Sequence, residues 1–249
     1  MPVTSVTPPP SGRRPARRAV ALVAACAALA GCASGAHATA AQGDRYVDLY
    51  RALHPSVVLF TMQIPADDPK RKGQWDDAYG SGFVVASGAW GSRVLTDKHV
   101  IDGARNLVAT IGDGDHGAAR VVATSDDELD LALVEVAIPG AKPAPLGSAA
   151  RLVPGTAVGV LGYPIPDAFQ DERLERTVSM YTGRISSVRK STLEIEVPII
   201  PGESGGPVFD AASGEVIGIA ESRFEEERAI GFATPIDVAK TFLAKHPRR

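Results

Sequence analysis

The chain has few cysteines, no excess of basic charge and no apolar run long enough to span a membrane. Its two cysteines, Cys26 and Cys32, lie near the N-terminus, so a domain folded from the later residues holds no disulfide and depends on packing. The formal net charge is -3 and the only dense arginine cluster is N-terminal, which disfavours nucleic acid as a partner. With 249 residues, 45% of them hydrophobic, the chain can form a sizeable globular core.

The N-terminal segment has the layout of an export signal. Four arginines within residues 13–18 precede an apolar stretch at 19–30, and small residues follow it. The stretch is well short of the roughly 20 residues that cross a bilayer. We therefore predict that residues 1–31 are a signal peptide and that residues 32–44, rich in Ala, Gly, Ser and Thr, form a flexible tether.

The end of the apolar stretch leaves two destinations open. The tetrapeptide LAGC, which ends in Cys32, resembles the lipobox of bacterial lipoproteins, in which the cysteine is lipidated. Multiple acyl chains on Cys32 would anchor the protein lastingly to a membrane. The tripeptides AHA at 36–38 and ATA at 38–40 offer ordinary cleavage sites instead, and a soluble secreted protein. In either case we predict an extracytoplasmic location, and a lipoprotein is the first choice.

Beyond residue 55 the pattern is one of short β-strands. Apolar or alternating runs follow one another between Gly, Pro and Asp, as in SVVLFTMQI, ARVVATS, LALVEVAI and TAVGVLGY. Strands do not alternate with long helices, which argues against a doubly wound sheet and for barrels or a sandwich. About a dozen strands fit two packed six-stranded units, linked near residues 143–154.

Two helices are predicted at the ends of this region. Asp44 can cap the first, which Pro55 ends, and the residues on its apolar face are Tyr46, Leu49, Tyr50 and Leu53. The second begins after Pro235, and its apolar face carries Ile236, Ala239, Phe242 and Leu243.

The cluster PGESGGP at 201–207 raises the question of a nucleophile. Three glycines and two prolines are enough for a simple turn, so composition alone does not decide. Amide hydrolysis by serine also needs a base, a carboxylate that orients the base, and donors for the oxyanion. The chain offers His99 at the end of one predicted strand and Asp130 at the start of another, before Ser204 in chain order.

Eight stretches in order resemble the chymotrypsin-fold serine proteases, and most of all their HtrA/Deg branch: GSGFVV, VLTDKHVI, LDLALVEV, VGVLGYPIP, TVSMYTGRISSV, GESGGPV, GEVIGIA and IGFATPIDV. The resemblance implies an all-β fold of two six-stranded antiparallel β-barrels. On this basis the peptidase domain spans 45–249, with barrel one at about 55–147, barrel two at about 148–235 and a terminal helix at 236–245.

The resemblance also implies roles for the site residues. His99 is the expected general base, Asp130 its orienting carboxylate and Ser204 the nucleophile, while the backbone N–H groups of Gly202 and Ser204 form the oxyanion hole. Asp126 and Asp127 stand close to Asp130 and remain alternatives to it. Asp130 is preferred because it directly precedes the Leu-Ala-Leu-Val run, where a strand holds it rigidly.

The chain departs from the family at several points. Glu203 precedes the expected nucleophile, where HtrA/Deg members usually have Asn and trypsin-like digestive enzymes have Asp. Asp97 brings a second acid close to His99. The Ile-Val-Gly-Gly start of activated zymogens is absent, and we expect no PDZ domain after the terminal helix.

The resemblance predicts an apolar specificity pocket, formed by Pro198, Ile199, Ile200 and Ile219, and therefore cleavage of proteins or peptides after small or medium apolar side chains. Asp113, Asp115 and His116 match no calcium-loop spacing and predict a hairpin turn instead. We expect neither a metal nor a cofactor, and the sequence does not predict an oligomeric state.

Two other functions stay open. A protease fold with a latent site can serve as a binding module or chaperone. GESGG also satisfies the G-x-S-x-G elbow of α/β-hydrolase esterases, for which Ser204, Asp237 and His246 stand in the required order.

Overall fold

The computed structural model describes residues 45–112, 114–126, 128–164, 175–221 and 230–248. All of them belong to the compact unit Arg45–Arg249. The predicted signal peptide at 1–31, the tether at 32–44 and the lipidation of Cys32 lie outside the described residues.

The first half of the unit is a closed antiparallel barrel with the strand order β1-β2-β3-β6-β5-β4. Its strands are β1 (Val57–Pro65), β2 (Trp75–Gly88), β3 (Gly91–Asp97), β4 (Arg105–Ile111), β5 (His116–Thr124) and β6 (Leu131–Val136). Alternate residues of these strands, such as Val58, Phe60 and Val94, fill the barrel interior. β4 and β5 pair as neighbouring antiparallel strands, as the hairpin predicted around Asp115 requires, and Asp113 lies outside the described residues.

The second half repeats the architecture, with the strand order β10-β11-β12-β9-β8-β7. Its strands are β7 (Ala157–Gly162), β8 (Ser179–Val188), β9 (Leu193–Ile195), β10 (Pro207–Asp210), β11 (Val216–Glu221) and β12 (Gly231–Pro235). Val160, Ile195 and Val208 are among the residues that fill its interior. Two closed six-stranded barrels confirm the predicted all-β fold.

In the described part of the chain, three short helices accompany the barrels: α1 (residues 45–53), α2 (Lys98–Ile101) and α3 (Ile236–Lys245). Single 3-10 turns lie at His54–Ser56 and Pro69–Arg71. The predicted apolar faces of α1 and α3 both pack inward, with Leu53 and Phe242 buried. Among the described residues, no helix has the length and apolar character needed to cross a bilayer.

Two apolar clusters join the barrels to each other. In one, Phe83 and Leu131 of the first barrel meet Ile219 of the second, together with α3. In the other, Leu59 meets Leu161 under α1. Because the residues of the first cluster are buried, β2, β3 and β6 have fixed positions against β11 and α3.

Candidate active site

His99 and Asp130 are brought together at one end of the first barrel. His99 lies in α2, directly after β3, and Asp130 directly precedes β6, which pairs with β3. The Asp130 Oδ2 atom is 2.5 Å from His99 Nδ1, and its Oδ1 atom accepts a hydrogen bond of 2.8 Å from the His99 backbone N–H. A ring that donates from Nδ1 keeps Nε2 as an acceptor, which is the tautomer a general base requires.

The backbone holds Asp130 in an unusual conformation. Its φ of 48° is one of two positive values at described residues other than glycine, and its carbonyl accepts the Lys98 N–H at 3.0 Å. Such conformations cost free energy and persist where the surroundings enforce them. Asp126 instead accepts the N–H of Leu129, and Asp127 lies outside the described residues. The structure therefore pairs His99 with Asp130 and not with Asp126.

Asp97 lies next to this pair. It is 1% exposed at the end of β3, and ligand atoms of Asp97, His99 and Asp130 all lie within 4.8 Å of one another. This spacing is compatible with a metal ion. Because His99 Nδ1 already bonds to Asp130, a metal held through that nitrogen would have to displace the hydrogen bond.

Ser204 follows a tight turn at the edge of the second barrel. The Glu203 N–H donates to the Ile200 carbonyl at 2.9 Å, which closes a four-residue turn with Pro201 and Gly202 at its centre. Gly202 has a φ of 97°. Proline at the second position and a positive φ at the third are the features of a type II turn, which requires a residue such as glycine there.

Ser81 of β2 ties this turn to the first barrel. Its Oγ donates to the Gly202 carbonyl at 2.7 Å and accepts the Tyr163 N–H at 2.9 Å, and its own N–H donates to the Ser204 carbonyl at 2.9 Å. Through Ser81 the first barrel therefore fixes the carbonyl groups on either side of Glu203. Sequence reasoning missed Ser81, although the small polar residue between glycines in GSGFVV was a usable signal.

The Ser204 segment is in close contact with the segment that carries His99. A Cβ added to Gly205 would lie 2.2 Å from both Ser81 O and Thr96 Oγ1, and 3.1 Å from the N atom of Asp97. Only glycine fits this approach of the two barrels. No hydrogen bond joins Ser204 Oγ to the His99 ring, both of which lie in the described part of the chain. In unliganded enzymes such a bond is often absent and tightens when substrate binds.

Glu203 points away from solvent. It is 0% exposed, and its Oε2 atom accepts the Ile200 N–H at 2.8 Å. Burial raises the pKa of the Glu203 carboxyl group to about 7, and the hydrogen bond from Ile200 counteracts this in part. Burial also raises the pKa of Tyr181, and the charge of Glu203 adds to the increase.

The four predicted pocket residues occupy two environments. Pro198, Ile199 and Ile200 are half-buried on the segment that leads to the turn. Ile219 is 0% exposed and packs in the cluster between the barrels with Phe83. The pocket assignment stays a prediction.

Two further histidines, His54 and His246, pack against aromatic rings. His54 stacks on Tyr50, and His246 lies against Phe242. Glu221 is buried at the end of β11 near Thr234.

The α/β-hydrolase alternative is wrong for this fold. Ser204 is followed by strand β10 and not by a helix. Asp237 accepts hydrogen bonds from Ser148 Oγ and the Ala149 N–H, away from any role with Ser204. The strand-turn-helix setting of the elbow is therefore absent from the described residues around Ser204.

Comparisons with known proteins agree with this architecture. The family model described as a trypsin-like peptidase domain matches residues 80–219, which include His99, Asp130 and Ser204. The structure of the HtrA-type protease AlgW with tripeptide has a TM-score of 0.65 and 25% sequence identity, over 80% of this chain and 62% of AlgW.

Two curated proteins illustrate the sequence similarity. The chain is 32% identical over 188 residues to the putative serine protease HhoB of Synechocystis sp., which covers 71% of this chain and 41% of HhoB. It is 32% identical over 187 residues to a probable periplasmic serine endoprotease DegP-like of Pseudomonas savastanoi pv. phaseolicola, over 70% of this chain and 37% of the relative. The chain thus spans less than half the length of these relatives.

Proposed function

The chain belongs to the family of trypsin-like peptidase domains, and we propose that it is a serine endopeptidase of the HtrA type. The observation that carries the proposal is the pair of His99 and Asp130, which two hydrogen bonds join. The strand that leads to His99 is in close contact with Gly205, the residue directly after Ser204. A structural histidine needs no carboxylate that holds both its ring and its backbone. A general base does, because its ring must keep one orientation and one tautomer.

In this proposal His99 Nε2 takes the proton of the Ser204 hydroxyl as the oxygen attacks the scissile carbonyl. Asp130 stabilises the imidazolium that results, and the protonated ring then donates to the leaving amine. The acyl group remains on Ser204 until water, activated by the same ring, releases it. Peptide or protein substrates are supported by the similarity to AlgW, whose structure holds a tripeptide.

The N–H groups of Gly202 and Ser204 are the proposed donors to the oxyanion. They lie on either side of Glu203 in a turn fixed by Ser81 and by the Ile200 carbonyl. Donors that are held in place before reaction stabilise the developing charge without reorganisation, and loss of one such donor typically costs about 10²–10³ in kcat.

Specificity and location extend the proposal. Half-buried Pro198, Ile199 and Ile200 favour cleavage after small or medium apolar side chains. The similarity to a probable periplasmic serine endoprotease of the DegP type supports an extracytoplasmic site of action. Lipidation of Cys32 would then keep the enzyme at a membrane surface.

The test is labelling by a fluorophosphonate probe together with hydrolysis of peptide 4-nitroanilides that end in Ala or Val. Wild type should be labelled on Ser204, and Ser204→Ala should lose labelling and reduce turnover by about 10⁶ with an unchanged circular dichroism spectrum. Ser213, in the turn before β11, supplies the matched control, because Ser213→Ala removes an exposed hydroxyl and should leave labelling intact.

A folded wild type that neither reacts with the probe nor cleaves peptides would contradict the proposal. It would favour the alternative of a latent protease fold that acts as a binding module or chaperone.

A further inference from the structure

The residue directly before Ser204 is a buried acid whose side chain folds back over its own turn. Glu203 Oε2 accepts the Ile200 N–H at 2.8 Å, while the Glu203 N–H donates to the Ile200 carbonyl at 2.9 Å. Both polar backbone groups of Ile200 are thus bonded to Glu203. One of these bonds is the ordinary closure of the turn, and the other depends on the glutamate side chain.

The glutamate is itself held firmly. A Cβ added to Gly162, at the end of β7, would lie 3.1 Å from Glu203 Cα and 3.2 Å from its Cβ, so the two backbones are in close contact. The Glu203 carbonyl accepts the Gly206 N–H at 2.9 Å. Its Oε1 atom is buried and has no hydrogen-bond partner among the described residues. The side chain therefore has little freedom to leave the turn without disturbing its neighbours.

The orientation of the peptide between Pro201 and Gly202 decides where one proposed oxyanion donor points. In a type II turn the third residue has a positive φ, as Gly202 has. A type I turn keeps the same closing hydrogen bond but has a φ of about -90° there, which reverses the central peptide. The Gly202 N–H would then point to the opposite face of the turn. The closing bond alone does not select between the two forms.

We propose that Glu203 is a positioning residue for the acyl-transfer reaction, an inference that rests on the proposed function: its buried carboxyl group clamps Ile200 and keeps the Gly202 N–H directed towards the oxyanion. Ser81 holds the same turn from the other barrel through the Gly202 carbonyl. Glu203 acts through the turn and has no role in touching substrate.

The charge state of the clamp changes close to neutral pH. Burial raises the pKa of Glu203 to about 7. Of the described elements packed around it, β8 contributes Tyr181, which is uncharged at this pH, β7 and β2 contribute the uncharged Gly162 and Ser81, and β3 brings buried Asp97 against Gly205. None of these groups supplies a positive charge. An ionised Glu203 would leave Oε1 charged, buried and without a donor, and the turn would have to open to hydrate it.

Two substitutions separate the hydrogen bond from the charge. Glu203→Gln keeps an oxygen that can accept the Ile200 N–H but cannot ionise, whereas Glu203→Ala removes the acceptor. Glu196→Gln is the matched control, because Glu196 is exposed on the segment that leads to the same turn.

The kinetic measurement is the dependence of kcat and KM on pH from 5.5 to 9, with the same peptide 4-nitroanilides. Glu203→Ala should lower kcat by about 10- to 100-fold with KM within about threefold of wild type, because a misdirected donor weakens transition-state binding. Wild type should lose kcat by about tenfold as the pH rises through 7, relative to Glu203→Gln, which should keep its activity to pH 9. The control should follow the wild-type profile.

A structural measurement separates this inference from the proposed function. Crystal structures of Ser204→Ala with and without Glu203→Ala should show a positive φ at Gly202 only when Glu203 is present. If wild type is inactive but the turn still depends on Glu203, the proposed function fails and the clamp stands. If Glu203→Ala fails to fold, the comparison of wild type with Glu203→Gln decides through the pH profile and the turn geometry. An active wild type whose pH profile matches Glu203→Gln, or a turn unchanged by Glu203→Ala, would overturn the inference.

Discussion

At the scale of single residues, three polar side chains hold main-chain segments of the candidate site in place. Ser81, Asp130 and Glu203 each make side-chain hydrogen bonds to the main chain of a segment at the site. Bonds to the main chain fix the positions of N–H and carbonyl groups more strictly than contacts between side chains. The candidate site therefore depends on the main-chain positions that Ser81 and Glu203 hold, as well as on His99, Asp130 and Ser204.

The buried acid also predicts how stability depends on pH. The pKa of Glu203 rises from 4.5 to about 7 on folding, so between these values the native state keeps a proton that the unfolded chain has lost. The stabilising contribution is fully present below pH 4.5 and is lost as the pH rises through about 7. It amounts to about 3 kcal/mol. Between pH 4.5 and 8, the free energy of unfolding of Glu203→Gln should therefore rise relative to that of wild type by up to about 3 kcal/mol.

Urea unfolding followed by the fluorescence of Trp75 and Trp90 measures this difference at each pH. The free energy of unfolding of the control Glu196→Gln should differ from that of wild type by a small amount that is nearly the same at each pH. A constant difference for Glu203→Gln as well would show that the buried carboxyl group ionises normally.

At the scale of elements, α1 closes one side of the seam between the barrels. Leu49 and Leu53 enter the cluster that contains Leu59 of the first barrel and Leu161 of the second. Hydrogen bonds reinforce this docking, since the Arg45 guanidinium donates to the carbonyls of the β10–β11 turn. A short helix is barely stable alone, so its tertiary contacts supply most of its stability.

Leu53→Ala should consequently lower the free energy of unfolding by about 2–5 kcal/mol, because the 2%-exposed side chain leaves a cavity under the helix. Val47→Ala, in the same helix at a position 46% exposed, is the control and should change it by less than about 0.5 kcal/mol. Equal effects from the two substitutions would mean that α1 is not docked in solution.

At the scale of the whole molecule, the barrels share their packing. Each has its own interior, but the two further clusters draw residues from both, including Phe83 and Leu133 from one and Ile219 from the other. Neither barrel can unfold without exposing apolar surface of its partner. The described unit should behave as one cooperative structure.

Differential scanning calorimetry should accordingly give one transition, with equal calorimetric and van't Hoff enthalpies. Leu133→Ala removes a fully buried side chain from the shared cluster and should lower the Tm without dividing the transition. Two resolved transitions in wild type would contradict the shared core.

The sequence by itself determined the fold class, the apolar faces of both terminal helices and the residue types available for catalysis. It could do so because strand and helix periodicities are local, and because an ordered series of short motifs resembles one family closely. The resemblance of the motifs around His99, Asp130 and Ser204 to those of one family implied roles for these residues without showing that they meet.

The tertiary structure decided which groups lie together. Asp130 reaches His99 because its backbone turns into the left-handed region where β6 pairs with β3, whereas Asp126, four residues earlier, caps its own turn. Ile219 faces the other barrel, and Ser81 reaches across to the turn before Ser204. A strand's pattern specifies which of its faces is apolar, but the partner of that face depends on how two barrels, distant in sequence, pack together.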